Sequence, residues 1–274
     1  MVQSSVTGRL EVIMSQLGGL PPLPETYSRI TQLTQDVFVS MDSVAAVIER
    51  DPAMTAAVLR IINSAYFGLP RQVSSVREAV RFLGIIPLKN IVLTIEIFEG
   101  LATGRRATVM QNEALLRAYA MRELMGRTPQ VEQGFIAGIL ADVGRLLLIS
   151  KLPADSEIIE KKIEASVLPW VAEIDRLGCT SADIGGQLLT KWNLPPPLIE
   201  AVSQRHRPPP PEPTASVTTA LMLVNAVEWS VRAPKHHRAE FEERALRLIG
   251  VFPGSTIESL SRYFGTTDES SEKS

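Results

Sequence analysis

The sequence predicts an all-α protein built from many helices, and two observations carry this prediction. Apolar residues from Met54 to Ala65 recur at the three- and four-residue spacing of a single helix face. Capping residues, glycines and prolines mark helix starts and stops along most of the chain. We find no alternating apolar and polar pattern typical of strands and no period typical of a repeat protein.

In the first half of the chain, three helices are marked clearly. Asp51 is placed as an N-cap before Pro52, which at the first helical position loses no hydrogen bond. Ser75 with Glu78 fits a capping box that begins the next, short helix. Residues 85–101 are strongly apolar, so we expect this third helix in the core.

The second half begins after an expected break at Thr103–Arg106, which places a subdomain boundary near residue 105. Thr180 and Asp183 form a second capping box. Helices are predicted at 112–126, at 130–151 as two helices joined around 142–144, at 180–192, from Pro195 to about 206, at 218–231 and at 240–249.

These elements divide the chain into five parts. They are an N-terminal helix (1–19), an N-terminal helical half (20–105), a second helical half (106–207), a proline-rich loop with closing helices (208–265) and a polar, disordered tail (266–274). Five of the six residues in 208–213 are proline. This composition is typical of a stiff surface loop, and a polyproline II ligand for a partner domain is the alternative.

Composition excludes several classes of protein. With a net charge of −2 and a pI near 6.0, wholesale electrostatic binding of nucleic acid is not expected. The single cysteine, Cys179, cannot form an internal disulfide and is expected to be buried. The N-terminus does not resemble a signal peptide, and the most apolar segment, 85–98, is interrupted by Lys89 and Glu96. We therefore expect a cytoplasmic protein without a membrane span.

Histidine is scarce, which limits metal chemistry. The chain has three histidines, His206, His236 and His237. Catalytic divalent metal sites hold each metal with three or more imidazole or carboxylate ligands. We find neither a phosphate-binding P-loop nor a serine nucleophile elbow. The sequence therefore predicts no catalytic centre, no bound metal and no cofactor.

Several strings carry a resemblance to a known family. They are LPPLP (20–24), DPAMTAAVLRIINSAYFGLP (51–70), VSSVREAVRFLG (73–84), ILADVG (139–144) and KWNLP (191–195). Across residues 20–208 the chain resembles the HDOD family, a bacterial branch related to the metal-dependent HD-domain phosphohydrolases. The resemblance implies a compact multi-helix bundle of the HD-domain, phosphodiesterase-like type with an N-terminal helical subdomain. It also implies a role in bacterial signal transduction.

The resemblance further implies which residues stand at the metal positions of the HD superfamily. The first histidine corresponds to Ala118, and the histidine of the HD pair corresponds to Ala141, while its aspartate remains as Asp142. Later positions correspond to Ser181 and to the pair Arg205 and His206. Only Asp142 and His206 could still ligate a metal, and two side chains do not hold one of this type. The pocket is therefore expected to be a relic.

The relic pocket residues have alternative interpretations. Asp142 is also explained as a helix N-cap, and His206 as a solvated histidine at a helix end. The other two histidines lie in a segment, 232–238, that is typical of a basic loop. Arg205 could replace the metal by pairing with Asp142, or could bind an anion such as a nucleotide phosphate together with Ser181.

We therefore expect a non-enzymatic regulatory module that binds other signalling proteins, such as diguanylate cyclases, phosphodiesterases or response regulators. The candidate docking surfaces are the proline-rich loop and a turn formed by Tyr66, Phe67, Leu69 and Pro70, for which core packing of Phe67 is the alternative. The first rival is a metal-dependent phosphohydrolase with a non-standard carboxylate site that includes Asp142. The second is a sensor that binds a nucleotide of the cyclic di-GMP type through Arg205 or His206 without turnover.

Overall fold

A computed structural model describes residues 2–36, 38–63, 71–101, 104–126 and 128–265, with side chains from residue 8 and outside 104–107. These ranges contain sixteen helices and no strand, which confirms the all-α prediction. The proposed docking turn of Tyr66, Phe67, Leu69 and Pro70 and the tail from residue 266 lie outside the described residues.

The contacts of the chain define two compact units, and Pro22–Gln111 forms one of them. Its helices are α2 (Glu25–Leu33), α3 (Met41–Glu49), α4 (Pro52–Ile62), α5 (Val76–Leu83) and α6 (Ile85–Leu101). As expected, α6 is the central helix, because most of its residues from Leu88 onward are buried. The aliphatic faces of α2, α4 and α5 pack against it.

The caps of this unit follow the sequence closely. The Asp51 carboxylate accepts the N–H groups of Ala53 and Met54, with Pro52 in the first turn, as predicted. Ser75 Oγ accepts the Glu78 N–H, but the Glu78 carboxylate accepts the N–H of Ser74 rather than that of Ser75. The return bond of the capping box therefore comes from Ser74, the residue before the N-cap, and not from Ser75 itself.

The other unit consists of residues 1–21 and 112–274. Its helices are α1 (Val2–Gln16), α7 (Gly104–Met125, from Asn112 onward), α8 (Val131–Leu140), α9 (Val143–Lys151), α10 (Pro153–Glu164), α11 (Pro169–Leu177), α12 (Ser181–Lys191), α13 (Pro196–Gln204), α14 (Val217–Arg232), α15 (Lys235–Ile249) and α16 (Ile257–Ser261). The Thr180–Asp183 capping box of α12 is present, and Cys179 is buried, which raises the pKa of its thiol to about 12.

Two expectations about this half of the chain are wrong. The helix predicted from Asn112 begins at Gly104, so the expected break includes the first turn of α7. His236 and His237 lie in the first turn of α15 rather than in a loop spanning 232–238. The start of α15 carries no side-chain capping hydrogen bond, because Pro234 stands at its N-cap, which is why the sequence pattern placed this helix too late.

Two glycines allow helices to approach closely around the end of α8. A Cβ atom on Gly138 would lie 2.6 Å from the Cα of Ala118 in α7. A Cβ atom on Gly144 would collide with the carbonyl oxygen of Ser181 and lie 2.6 Å from the Gly185 nitrogen in α12. The turn between α8 and α9 is therefore held tightly between α7 and α12.

Residues 131–151 together are long and apolar enough to cross a membrane by length and composition alone. In the structure they form the two helices α8 and α9, and 67% of the apolar window is buried inside the protein. Buried core helices pass the same test, so this is weak evidence for a span.

Candidate functional site

Asp142 lies in the turn between α8 and α9, and its carboxylate binds two arginines. Its Oδ2 accepts from Nη2 of Arg117 at 2.9 Å, and its Oδ1 accepts from Nη2 of Arg205 at 2.8 Å. Asp142 occupies the N-cap position of α9, as predicted, but its side chain makes no capping hydrogen bond, so capping does not explain the carboxylate. The predicted pairing of Arg205 with Asp142 is confirmed, and Arg117 is a second partner that sequence reasoning missed.

The ion pairs continue from Arg117 into a buried cluster. Its Nε donates to Oε2 of Glu228 in α14 at 2.9 Å. Nη1 of Arg232 donates to Oε1 of Glu228 at 2.8 Å and to Oε1 of Glu113 at 2.9 Å. Arg117 and Glu228 are 4% and 3% exposed. Three arginines and three carboxylates therefore form one network, which we call the arginine–carboxylate cluster.

A sequence signal for this cluster exists but is easily overlooked. Arg117 stands alone in the apolar run 114–121 of α7, and Glu228 stands alone in the apolar run 220–229 of α14. A lone charge on a buried helix face needs a partner, because an unpaired buried charge is very costly. The sequence cannot show that these two charges, 111 residues apart, find each other.

The electrostatics of the cluster are dominated by its fixed cations. Burial alone would raise the pKa of Asp142, but Arg117 and Arg205 outweigh it and hold the pKa of this carboxyl well below its usual value. Burial would likewise lower the pKa of Arg117, and the facing carboxylates of Asp142 and Glu228 raise it instead. Asp142 is therefore ionised at neutral pH, and its charge is neutralised internally.

His206 follows Arg205 and is not the solvated histidine that the sequence indicated. Its half-buried ring stacks on Trp170 of α11, with the ring centroids 4.3 Å apart and the planes 20° apart. Nδ1 lies 3.3 Å from Nδ2 of Asn225, which can donate to it when the imidazole is neutral. Burial, and then the charge of Arg205, lower the pKa of His206 well below its usual value, so the neutral form is favoured.

Ser181 has an internal partner that Arg205 does not share. Its N–H donates to Oε2 of Glu173 at 2.7 Å, and burial raises the pKa of that glutamate. The guanidinium of Arg205 donates instead to Asp142 and to the carbonyl oxygen of Val202. The structure thus gives each of the two residues its own internal partner, and their sharing of a phosphate stays a prediction.

The divalent metal of the HD superfamily does not fit the residues at this site. Ala118 and Ala141 are fully buried and offer no ligand atom, and both oxygens of Asp142 accept from guanidinium groups. The groups still lacking a protein partner, Nη1 of Arg117 and Nη2 of Arg232, are N–H donors, which repel a cation. Over the described ranges, no three His, Cys, Asp or Glu side chains converge in a way that could hold a metal ion.

The sequence model of the HDOD domain family matches residues 20–208, which is more than half of the chain. This chain belongs to the HDOD family. An uncharacterized protein of Treponema pallidum is 24% identical to this chain over 213 residues. The match covers 76% of this chain but only 42% of the length of that relative.

Solved structures show the same fold. An HDOD domain protein with unknown function from Geobacter sulfurreducens is 20% identical and has a TM-score of 0.71, with 96% of this chain and 98% of that chain covered. A protein from Shewanella amazonensis named as a candidate phosphohydrolase is 21% identical, with a TM-score of 0.69 and coverage of 95% and 93%. A Marinobacter aquaeolei protein named as a candidate signal transduction protein is 20% identical, with a TM-score of 0.64 and coverage of 96% and 65%.

Proposed function

We propose that this HDOD protein is a non-enzymatic regulatory module of bacterial signal transduction that binds other proteins in the cytoplasm. In this proposal the former metal pocket is a structural element, filled by the arginine–carboxylate cluster. Its partners would be other signalling proteins, such as cyclic di-GMP enzymes or response regulators. The names of the fold neighbours include both a hydrolase and a signalling protein, so they do not favour either function. The proposal rests instead on the contacts of Asp142.

The supporting observation is that both carboxylate oxygens of Asp142 accept from arginines. A hydrolytic metal neutralises its ligating carboxylates and lowers the pKa of a bound water. Here Arg117 and Arg205, which stay protonated at any physiological pH, neutralise the carboxylate instead. A guanidinium has no open coordination position, so it cannot activate water in the way that a metal does.

Metal content and hydrolysis test the proposal together. Untagged protein is purified without chelators, its metal is measured by plasma mass spectrometry, and hydrolysis of bis(p-nitrophenyl) phosphate and cyclic di-GMP is assayed with added Mn²⁺. We expect less than about a tenth of a metal per chain and no turnover above buffer. Near-stoichiometric iron, manganese or zinc, with hydrolysis that Asp142→Ala abolishes, would establish the phosphohydrolase instead.

The nucleotide sensor makes a different prediction at Arg205. If its guanidinium is a structural partner of Asp142, Arg205→Ala should lower the melting temperature equally with and without cyclic di-GMP. If it binds a phosphate, the wild-type protein should melt higher with nucleotide, and the variant should lose only this increase. Thermal melts of both proteins separate the two cases.

A further inference from the structure

The surface of the 22–111 unit contains a groove of 710 Å³ between the consecutive helices α2 and α3. Each of these helices is nine residues long, which corresponds to about 13 Å. The floor of the groove is aliphatic and half-buried, and its rim carries two arginines and one aromatic ring. The floor includes Leu33, Val39 and Val47, and the rim includes Arg29, Arg50 and Phe38.

The charge of this α2–α3 groove is positive. Arg29 is 46% exposed, and its ion pair with the 86% exposed Glu25 is 3.8 Å long, so it is a weak surface pair. Arg50 is exposed and, within the described part of the chain, has no ion-pair partner. Asp36 is the only acid among the lining residues, and its Oδ1 accepts the N–H of Phe38. Two cations therefore remain available to a ligand.

Phe38 makes the groove apolar as well as basic. Its side chain is 91% exposed, the highest exposure among the large apolar residues described. A single exposed apolar residue is unremarkable, but this ring stands at the edge of a half-buried aliphatic floor. An exposed aromatic ring beside arginines, over an apolar floor, is the composition of a binding hot spot.

We propose that the α2–α3 groove binds an amphipathic helix of a partner protein, with the apolar face of that helix on the floor and acidic residues beside Arg29 and Arg50. The inference rests on the proposed function, since it assigns a surface to the protein binding. Walls of about 13 Å accommodate roughly two turns of a helix with apolar anchors at i, i+3 or i+4, and i+7. A nucleotide fits less well, because the aliphatic floor of Leu33, Val39 and Val47 suits the apolar face of a helix better than it suits phosphate groups.

The test uses two designed peptides and a charge reversal. Both are fluorescein-labelled, helical, about 15 residues long and share one leucine face, but their flanks carry only glutamate in the first and only lysine in the second. Anisotropy is measured with the full chain, with Arg29→Glu/Arg50→Glu and with Arg60→Glu/Arg247→Glu, a control of equal charge change at exposed positions outside the groove. Phe38→Ala is the fourth protein, and circular dichroism verifies folding of each.

We expect the wild type to bind the glutamate peptide saturably and the lysine peptide at least about tenfold more weakly. Arg29→Glu/Arg50→Glu should reverse this preference, the control pair should retain it, and Phe38→Ala should weaken binding of the favoured peptide about tenfold. Reversal by the groove pair alone distinguishes this surface from the general charge of the chain.

Five outcomes would overturn the inference, and the first four concern the peptides. They are no binding of either peptide, equal binding of both, a preference that the control pair reverses as well, and displacement of the peptide by cyclic di-GMP in a manner sensitive to Phe38→Ala. A wild-type dimer that Phe38→Ala converts to a monomer in light scattering would instead assign the groove to a second copy of this chain.

If neither peptide binds while the protein also holds no metal and shows no hydrolysis, only the groove is refuted. If metal and hydrolysis are found, the regulatory function fails regardless of the peptides.

Discussion

At the scale of single residues, the ion pairs of Asp142 with two arginines are the main feature of the candidate site in this HDOD protein. The Asp142 carboxylate, which the family resemblance placed at a metal position, accepts from Arg117 and Arg205. Buried pairs of this kind are not strong net stabilisers when compared with apolar residues of similar volume. Removing one partner is nevertheless costly, because the other charge is left buried and unpaired.

Asp142→Asn tests this directly. The amide keeps the size of the side chain but presents an N–H₂ group to one of two buried guanidiniums, so we expect a loss of about 3–5 kcal/mol in the free energy of unfolding. Urea denaturation measures it, and Asp175→Asn, whose carboxyl is 65% exposed, is the control that should change stability by less than about 1 kcal/mol. Equal small effects of the two substitutions would show that the cluster contributes nothing to stability.

The same variant has a defined pH dependence. Because the pKa of Asp142 is lower in the folded than in the unfolded protein, its contribution is fully present above the unfolded pKa and is lost as the pH falls through the folded value. The difference between wild type and Asp142→Asn should therefore be constant from pH 7 to about pH 4 and should shrink only in stronger acid. A difference that already disappears near pH 5 would contradict the lowered pKa.

His206 predicts a pH effect nearer neutrality. Its pKa is lowered by folding, so below about pH 6.5 the unfolded chain binds the additional proton and the folded state loses stability relative to it. Measured by thermal melts from pH 8 to pH 5, the stability of wild type relative to His206→Gln should fall with the pH. Trp170 stacks on this ring, so tryptophan fluorescence in the same range reports the contact. A pH-independent difference would refute the neutral, buried histidine.

At the scale of elements, close packing of helices holds the cluster in place. Asp142 lies between Gly138, which allows α8 to approach α7, and Gly144, which allows α9 to approach α12. The i, i+4 spacing of Gly134 and Gly138 is typical of close helix packing, and the side chain of Met125 and the backbone of Ala118 fill the space beside them. The partners themselves depend on helix register, which local patterns do not determine.

Gly144→Ala measures the α9–α12 contact. The added methyl group would collide with the backbone carbonyl of Ser181, which cannot rotate away as a flexible side chain can, so we expect a loss of at least about 1–3 kcal/mol. Gly100→Ala in α6 is the matched control, because nothing lies within 4 Å of its added Cβ and alanine favours the helix. Chemical denaturation of both variants gives the comparison. A neutral Gly144→Ala would contradict the contact.

At the scale of the whole molecule, we expect the hydrophobic core to stabilise the fold without a metal, and the single cysteine cannot form an internal disulfide. Each compact unit has its own buried aliphatic core, with α6 central to one and the apolar faces of α8, α9, α12 and α14 central to the other. A chain of this length buries about three quarters of the surface that its unfolded form exposes, so no further crosslink is needed. The single cysteine is buried and has no disulfide partner.

Chelation tests this whole-molecule statement. A structural or catalytic metal binds the folded state and stabilises it, so its removal lowers the melting temperature. We expect EDTA at about 5 mM to leave the melting temperature unchanged within about 1 °C. A decrease of several degrees that zinc or manganese reverses would reveal a metal site. It would favour a metal-dependent phosphohydrolase over the regulatory module.

The sequence by itself determined the helical class, most helix starts and the family, and it predicted the loss of the histidine ligands. These features are local, since a cap, an apolar stripe or a missing imidazole is visible in a few neighbouring residues. It also suggested the pairing of Arg205 with Asp142, because the family resemblance placed the two positions together. The cap of α2 was beyond it, since the carboxylate of Glu96, about 70 residues away, accepts the N–H groups of Thr26 and Tyr27.

Only the tertiary structure decided the rest of the site. Asp142 lies 25 residues from Arg117 and 63 from Arg205, and Arg117 lies 111 residues from Glu228. Ser181 and Arg205, expected to share an anion, each found a nearer internal partner once the helices packed. Which charges meet depends on helix register and on close approach at glycines, and these are properties of the packed chain rather than of any segment.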